Sequence, residues 1–408
     1  MTHPEEESPL SGVPRASRAM RRRVGKANSI EELRRLAKRR LPRAVFDFYD
    51  GGAEEEHTLR ENRKAYARHA LLPRYLVDVS RIGTAVDLLG APAALPMAIS
   101  PTGAIGFGWP RGDIAIARAA AAAGIPFTLS TSSTASIERL ARAVPDGRLW
   151  FQSYVLRKRE FTRGLIQRAR QAGYEALVIT VDMPTGGKRE KDLRNDFGLP
   201  FRLTPRNFLD FASRPAWTAT LLRHGIPLLE NLVGFTPDAV STSTIASSVG
   251  KNYDPAFDWQ GLKEIRDEWP GRLLVKGILH PEDAGLAAGI GCDGVIVSNH
   301  GGRQLDGAVA SLDALGPVVR AVGGRMSVIL DGGIRRGADV VKALALGADA
   351  VMIGRPALYG VCAGGEAGAA RAIEIFQDEI SRTLRLSGVC DVRDLGPGLL
   401  RDCPAAQR

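Results

Sequence analysis

The chain has few cysteines and no long apolar run. Its four cysteines among 408 residues are scattered and form no C-x-x-C pair. This spacing argues against a disulfide framework and a zinc site, so we expect a reducing compartment and no bound metal. The longest uncharged stretch, 88–110, contains four prolines and several glycines and is not expected to span a membrane. The first residues lack the apolar core of a signal peptide, so we expect a cytoplasmic protein.

Basic charge is concentrated at the N-terminus. The formal net charge is +10, and residues 1–43 hold twelve Lys/Arg against five Asp/Glu, which places +7 in this short segment. The nearly balanced remainder argues against a nucleic-acid-binding face. We expect residues 1–28 to form a basic, flexible arm. It is either solvated, attracted to anionic lipid on the inner face of the cell membrane, or bound to an acidic partner.

Strand-like and helix-like segments alternate from about residue 95, which predicts a parallel sheet. Eight units of each kind fit a closed (β/α)8 TIM barrel better than an open sheet. We expect one domain over 29–397, with a helical segment at 31–50, an insertion at 197–256 after strand 4, and a tail at 398–408. The predicted strands are 95–100, 126–130, 149–155, 176–182, 273–278, 294–300, 327–333 and 350–355. The predicted helices are 112–124, 136–144, 161–173, 258–269, 281–291, 311–323, 337–348 and 366–386.

The segment V-I-V-S-N-H-G-G-R-Q-L-D at 295–306 carries the strongest chemical signal. A β-branched run that is typical of a buried strand ends at His300, and two glycines allow the backbone to turn sharply. His300 can titrate near neutral pH, and Arg303 can bind a carboxylate through two hydrogen bonds. The pattern suits proton abstraction from a small acid.

Polar residues follow every predicted strand, and in such barrels chemistry lies at these carboxyl ends. The glycines and arginines of D-G-G-I-R-R-G at 331–337 and I-G-R at 353–355 also suit a phosphate dianion. Tight turns that need glycine would explain the same two segments. Barrel and phosphate loops alone also fit an isomerase or aldolase acting on a phosphorylated substrate, with Lys276 as a Schiff-base lysine.

The sequence resembles the FMN-dependent α-hydroxy acid dehydrogenase/oxidase family from about Ser29 to Pro397. The most specific match is S-N-H-G-G-R-Q-L-D at 298–306. It is supported by G-G-A-E-E-E-H-T-L at 51–59, W-F-Q-S-Y at 150–154, T-V-D at 180–182 and D-G-G-I-R-R-G at 331–337. Two further motifs, W-P-R-G-D at 109–113 and V-K-G-I-L at 275–279, point to its membrane-associated lactate and mandelate dehydrogenases.

The resemblance implies a role for each matching residue. His300 would be the catalytic base, oriented by Asp182, while Arg303 and Arg189 would bind the substrate carboxylate. Tyr154 would donate its hydroxyl to the substrate. Lys276 would lie by the flavin N1–C2=O edge. The flavin ring, ribityl chain and phosphate would contact Pro101, Thr102, Gly103, Ser130, Gln152, Thr180, Ser298, Asp331, Gly333, Arg335, Gly354 and Arg355.

Two departures from the family concern the substrate. Phe48 stands where the family usually has a tyrosine whose hydroxyl helps to hold the carboxylate. Ser132 stands where glycolate oxidase has a tryptophan, and Gly103 replaces a common alanine, so we expect room for a medium or large side chain such as that of mandelate. Lactate is the competing substrate.

The electron acceptor is left open by the sequence. Oxygen would make the protein a soluble oxidase, whereas a quinone or a partner redox protein would make it a dehydrogenase. The insertion mixes apolar residues with arginines, which predicts either a lid over the active site or an interfacial membrane surface. The family resemblance also implies a homo-oligomer, a tetramer.

Overall fold

The computed structural model describes residues 13–195, 204–235 and 252–403. Eight parallel strands, numbered β1 to β8, close into a barrel in chain order, which confirms the predicted TIM barrel. They are Met97–Thr102, Phe127–Ser130, Leu149–Tyr154, Ala176–Thr180, Arg272–Ile278, Gly294–Val297, Ser327–Asp331 and Ala350–Ile353.

Fifteen α-helices in these residues surround the barrel or extend from it, and we number them α1 to α15. Four precede the barrel: Arg18–Gly25, Ile30–Arg40, Arg43–Asp50 and His57–Lys64. After β1, β2 and β3 come α5 to α7: Gly112–Ala122, Ile137–Ala143 and Arg159–Gln171. Between β4 and β5 lie α8 to α11: Glu190–Arg194, Pro205–Ala212, Pro215–His224 and Trp259–Glu268. The last four are Pro281–Ile290, Ser311–Val322, Gly337–Ala345 and Arg355–Ser387.

A hairpin closes the N-terminal end of the barrel. Its strands, Val86–Leu88 and Ala91–Ala93, pair antiparallel, and Leu88 packs into the cluster of buried side chains inside the barrel. Arg148, immediately before β3, donates to the backbone oxygens of Leu88 and Ala91 at 2.8 and 3.1 Å. Because this end is plugged, ligands can enter the barrel only from the carboxyl ends of the strands.

The N-terminal segment differs from the flexible arm that the sequence predicts. Ser17 caps α1, and Val24 on that helix is buried against Gly364 of α15. Arg371 of α15 also donates to the backbone oxygen of Ala27 at 3.0 Å. Residues 16–27 are therefore packed on the barrel, while residues 1–12 lie outside the described residues.

Two predicted boundaries differ for local backbone reasons. The predicted strand at 294–300 ends at Val297, because the following residues turn and His300 adopts a left-handed φ of 59°. The last helix begins at Arg355 rather than 366 and is kinked at Gly364 and Gly365. The glycine pair interrupts the helical pattern in the sequence, so the first half of this helix was not predicted.

A candidate active site at the carboxyl ends of the strands

A cavity of about 540 Å³ opens at the carboxyl ends of the barrel strands. Three predicted site residues, Ser130, Asp182 and Ser298, lie behind its wall, where they contact lining residues through hydrogen bonds. All the others line the cavity itself: Phe48, Pro101, Thr102, Gly103, Ser132, Gln152, Tyr154, Thr180, Arg189, Lys276, His300, Arg303, Asp331, Gly333, Arg335, Gly354 and Arg355.

His300 is held between a carboxylate and the cavity. Its Nδ1 lies 3.0 Å from Oδ1 of Asp182, so the N–H at this position donates to the carboxylate. This bond leaves Nε2 on the other side of the ring, 3.5 Å from the hydroxyl oxygen of Tyr154. Burial raises the pKa of Tyr154 well above its usual value of 10.0. Tyr154 therefore remains a hydrogen-bond donor beside the imidazole.

A buried amide pair fixes the loop that carries His300. Asn62 and Asn299 exchange side-chain hydrogen bonds of 2.7 and 2.8 Å, and Asn299 also donates to the Val309 backbone oxygen. The left-handed conformation of His300 is uncommon for a residue with a side chain and is maintained only where surrounding contacts determine it. The amide pair supplies such contacts next to the histidine.

Two guanidinium groups lie over the ring of Phe48. The Cζ atoms of Arg189 and Arg303 are 5.5 and 5.3 Å from its centroid, a distance at which cations are attracted to an aromatic face. Arg303 donates to the backbone oxygens of Phe48 and Gly51, both at 2.8 Å. Arg189 pairs with Asp192 at 2.9 Å.

The electrostatics around Arg303 favour an anionic ligand. Burial, followed by the nearby charges of Arg189 and Arg355, lowers the pKa of Arg303 to about 9. A negative charge nearby would raise this pKa again, because an anion stabilises the charged form of the guanidinium. A carboxylate that binds between Arg189 and Arg303 meets this demand.

A buried lysine forms the opposite wall. Lys276, only 3% exposed, donates to Ser298 at 2.9 Å and pairs with Asp331 at 2.9 Å. Ser298 in turn donates to Asp331 at 2.7 Å. Burial alone would raise the pKa of Asp331, but the ammonium of Lys276 lowers it below its usual value. The network fixes the Lys276 side chain in the barrel mouth, where it lines the cavity.

Glycines and arginines shape the far end of the cavity, after β7 and β8. Gly333 has φ of 77°, and a Cβ there would lie 2.0 Å from the backbone oxygen of Asn62, so only glycine fits. Arg355 donates to the backbone oxygens of Tyr49, Gly301 and Gly51. It therefore also fastens α3 to the loop that carries His300, a task that the sequence did not indicate.

Sequence reasoning missed several residues around the site. Tyr253 lies against Tyr154, with ring centroids 5.1 Å apart, and comes from the predicted insertion, where no local pattern marks it. Gln304 fastens the loop before α8 by donating to the backbone oxygens of Asp182 and Thr185. Asp192 could have been found, because it follows Arg189 at the i,i+3 spacing of helical ion pairs.

The fold and the cavity define a (β/α)8 protein with a site for anionic ligands. Residues 37–402 match the model of the FMN-dependent dehydrogenase family. The chain is 43% identical over 374 residues to (S)-mandelate dehydrogenase of Pseudomonas putida, covering 92% of this chain and 94% of that protein. It is also 43% identical over 378 residues to L-lactate dehydrogenase of Caulobacter vibrioides, covering 92% and 98%.

A solved structure gives the same answer. The crystal structure of the monotopic membrane protein (S)-mandelate dehydrogenase superposes with a TM-score of 0.89 at 43% identity, covering 93% of this chain and all of that one. The chain therefore belongs to the FMN-dependent dehydrogenase family. The predicted cofactor, FMN, is confirmed, and the isomerase or aldolase interpretation is not favoured.

The residues present fit FMN. Gly332, Gly333 and Arg335 line the same end of the cavity, where a glycine turn and a guanidinium suit a phosphate. Lys276 and the polar side chains of Gln152 and Thr180 lie toward the barrel axis, where a flavin ring needs hydrogen-bond partners. No cluster of three or more metal-ligating side chains occurs in residues 13–195, 204–235 and 252–403.

Proposed function

We propose that the protein oxidises an L-2-hydroxy acid with a medium or large side chain to the 2-oxo acid. The observation that carries this proposal is the convergence of one base and two arginines on the same cavity. His300 presents Nε2 toward Tyr154, and Arg189 and Arg303 both lie over the ring of Phe48. Relatives that are named mandelate and lactate dehydrogenases support the same substrate class.

Each of these side chains has its own role in the proposed reaction. Arg189 and Arg303 hold the substrate carboxylate, which fixes the hydroxyl-bearing carbon near His300. His300 removes a proton from the substrate, and Asp182 stabilises the imidazolium that results. Tyr154 donates a hydrogen bond to the substrate. FMN, when bound, accepts two electrons, and Lys276 places a positive charge beside it.

The remaining matched residues would hold the cofactor. Polar and small groups at the ends of β1 to β4 and β6 would contact the ring and ribityl chain, and those at the ends of β7 and β8 would hold the ribityl and phosphate groups. The first group is Pro101, Thr102, Gly103, Ser130, Gln152, Thr180 and Ser298, and the second is Asp331, Gly333, Arg335, Gly354 and Arg355.

Substrate size is the first test. Ser132 and Gly103 lie together, since a Cβ on Gly103 would be 3.1 Å from the Cβ of Ser132, and both line the cavity without filling it. We expect anaerobic bleaching of the bound flavin by L-2-hydroxy acids, with mandelate-sized acids giving a higher kcat/KM than glycolate. A Ser132→Trp variant should lose the larger acids first. Glycolate as the best substrate of the native protein would contradict the proposal.

The base is tested by His300→Ala. General base catalysis contributes about 100- to 10,000-fold, so the rate of flavin bleaching should fall by that factor. Flavin content should be retained, because Nδ1 and Nε2 of His300 face Asp182 and Tyr154. His280→Ala is the matched control, since His280 lies at the N-terminus of α12, outside the cavity. A bleaching rate within a few-fold of the native one would refute the assignment.

Phe48 is tested by restoring a hydroxyl. In Phe48→Tyr, a new hydrogen bond to the charged carboxylate should lower the substrate Kd by an amount equivalent to about 1.5–3 kcal/mol. The measurement is the substrate dependence of bleaching in native and variant proteins. Unchanged or weaker binding would show instead that the phenyl ring serves as the platform for the two arginines or contacts an apolar part of the substrate.

We also propose peripheral membrane contact and a quinone as the acceptor. The insertion exposes Leu222, Leu209 and Phe208 at 81%, 68% and 63%, together with Ile226, Leu228 and Val233. Such an apolar surface with arginines nearby suits the interfacial region of a bilayer. Along residues 13–195, 204–235 and 252–403, no helix is long and apolar enough to cross one. The homo-tetramer that the resemblance implies stays a prediction.

The membrane contact is tested by vesicle sedimentation. Leu222→Asp should weaken binding to vesicles with anionic lipid about tenfold, because it places a charge in the apolar surface. Leu386→Asp, 68% exposed at the end of α15, is the matched control and should sediment like the native protein. If the native protein stays in the supernatant at low and moderate salt and oxygen reoxidises its flavin rapidly, the protein is a soluble oxidase instead.

A further inference from the structure

A second cavity lies under α10, on the side of the molecule that carries the exposed apolar residues. It encloses about 260 Å³ and is lined by the aromatic rings of Phe107 and Trp217 and by Leu221. Ile226 and Leu228 also line it, and each is about half exposed. The cavity therefore continues into the same apolar surface that is proposed to contact the bilayer.

Only a thin wall separates this cavity from the large one. Phe107 lines both cavities. Leu228 lines the second cavity, and its neighbour Leu229 lines the first. Likewise, Thr134 lines the second cavity and Ser132 lines the first. The two cavities therefore adjoin along three chain segments. A ligand in the second cavity lies across this wall from the flavin site.

The wall and the helix above it are fixed in place. The indole N–H of Trp217 donates to the backbone oxygen of Phe107 at 2.8 Å. Gly106 has no room for a side chain, because a Cβ would lie 2.7 Å from the Thr134 hydroxyl and 2.9 Å from Pro227. The cavity is therefore a built feature of the fold and depends on this close approach of α10 to the barrel.

Six of the lining residues are polar: Arg111, Thr134, Arg139, Thr220, His224 and Glu230. Arg111, with a left-handed φ of 55°, and His224 line the cavity, and the Arg139–Glu230 ion pair closes its far side. Burial and the charges of Arg223 and Arg111 lower the pKa of His224 below 6.5. A neutral imidazole can donate a hydrogen bond to a carbonyl oxygen. A flat ring that carries polar oxygens can meet both parts of this lining: its faces contact the aromatic and aliphatic side chains, and its oxygens accept from the polar ones.

We infer that this cavity binds the head group of a membrane quinone, which receives the electrons through the Phe107 wall. The inference rests on the proposed function and locates its acceptor. The isoprenoid tail would leave past Ile226 and Leu228 toward the bilayer. The overall reaction balances: a 2-hydroxy acid loses two electrons and two protons to become a 2-oxo acid, and the quinone gains both pairs to become a quinol.

A cavity substitution and a surface substitution together test the site. Leu221→Trp places an indole in the cavity, whereas Leu386→Trp changes a leucine at the end of α15 that lies outside the lining and is 68% exposed. The probe is decylubiquinone with FMN-loaded protein in the absence of vesicles. Binding is followed by quenching of tryptophan fluorescence, with Trp217→Phe to identify the signal of the cavity. Stopped-flow absorbance then measures flavin bleaching by the hydroxy acid and reoxidation by the quinone.

We expect Leu221→Trp to weaken quinone binding and to slow reoxidation at least tenfold, with bleaching by the hydroxy acid within twofold of native. Leu386→Trp should behave as native in all three measurements. Native quinone binding and reoxidation in Leu221→Trp would overturn the inference and indicate entry through the substrate mouth. Failure of the native protein to be bleached by any hydroxy acid would instead refute the proposed function.

A photoreactive azidoquinone gives a second result that does not depend on the folding of a variant. Crosslinks to the segment 217–228 of the native protein would support the site. Crosslinks confined to the loop at 183–189, which borders the large cavity, would overturn it.

Discussion

Excess positive charge around one cavity is the constraint on which the rest of the structure depends. Two lysines and four arginines line it, against two aspartates, Asp192 and Asp331. Buried charge without a partner is costly, and the fold offsets part of that cost internally through the Lys276–Asp331 pair and the backbone oxygens that accept from Arg303 and Arg355. A phosphate dianion and a substrate carboxylate supply three of the missing negative charges. The cavity is therefore complete only when cofactor and substrate are bound.

The geometry of the base follows from the same loops. Arg355 fastens α3 to the backbone at Gly301, and the Asn62–Asn299 pair holds the residue before His300. These contacts maintain the left-handed backbone that sends the imidazole back over the barrel mouth, toward Asp182 on one side and the cavity on the other. Arg355, which is proposed to hold the cofactor, thus also helps to orient the proposed base.

Much of the fold and of the candidate site was predictable from the sequence, for a physical reason. Strands of a parallel barrel are buried on both faces, so they appear as apolar runs, and the residues that end them must meet at one rim. His300, Lys276 and Arg303 could be placed in one site on that basis. The contacts of Asn62 and Tyr253, and those by which Arg355 joins α3 to the loop of His300, could not be predicted, because their partners are distant in sequence. The packing of α1 was also hidden, since a helix rich in arginine with one buried valine has little apolar signal.

The most direct test of the account is the affinity of the apoprotein for FMN compared with riboflavin, measured by calorimetry at two salt concentrations. If the uncompensated cations define the site, FMN should bind at least about 100-fold more tightly, a difference of about 2.8 kcal/mol that shrinks at high salt. Equal affinity for the two flavins would contradict the claim that the cavity is organised around anionic ligands.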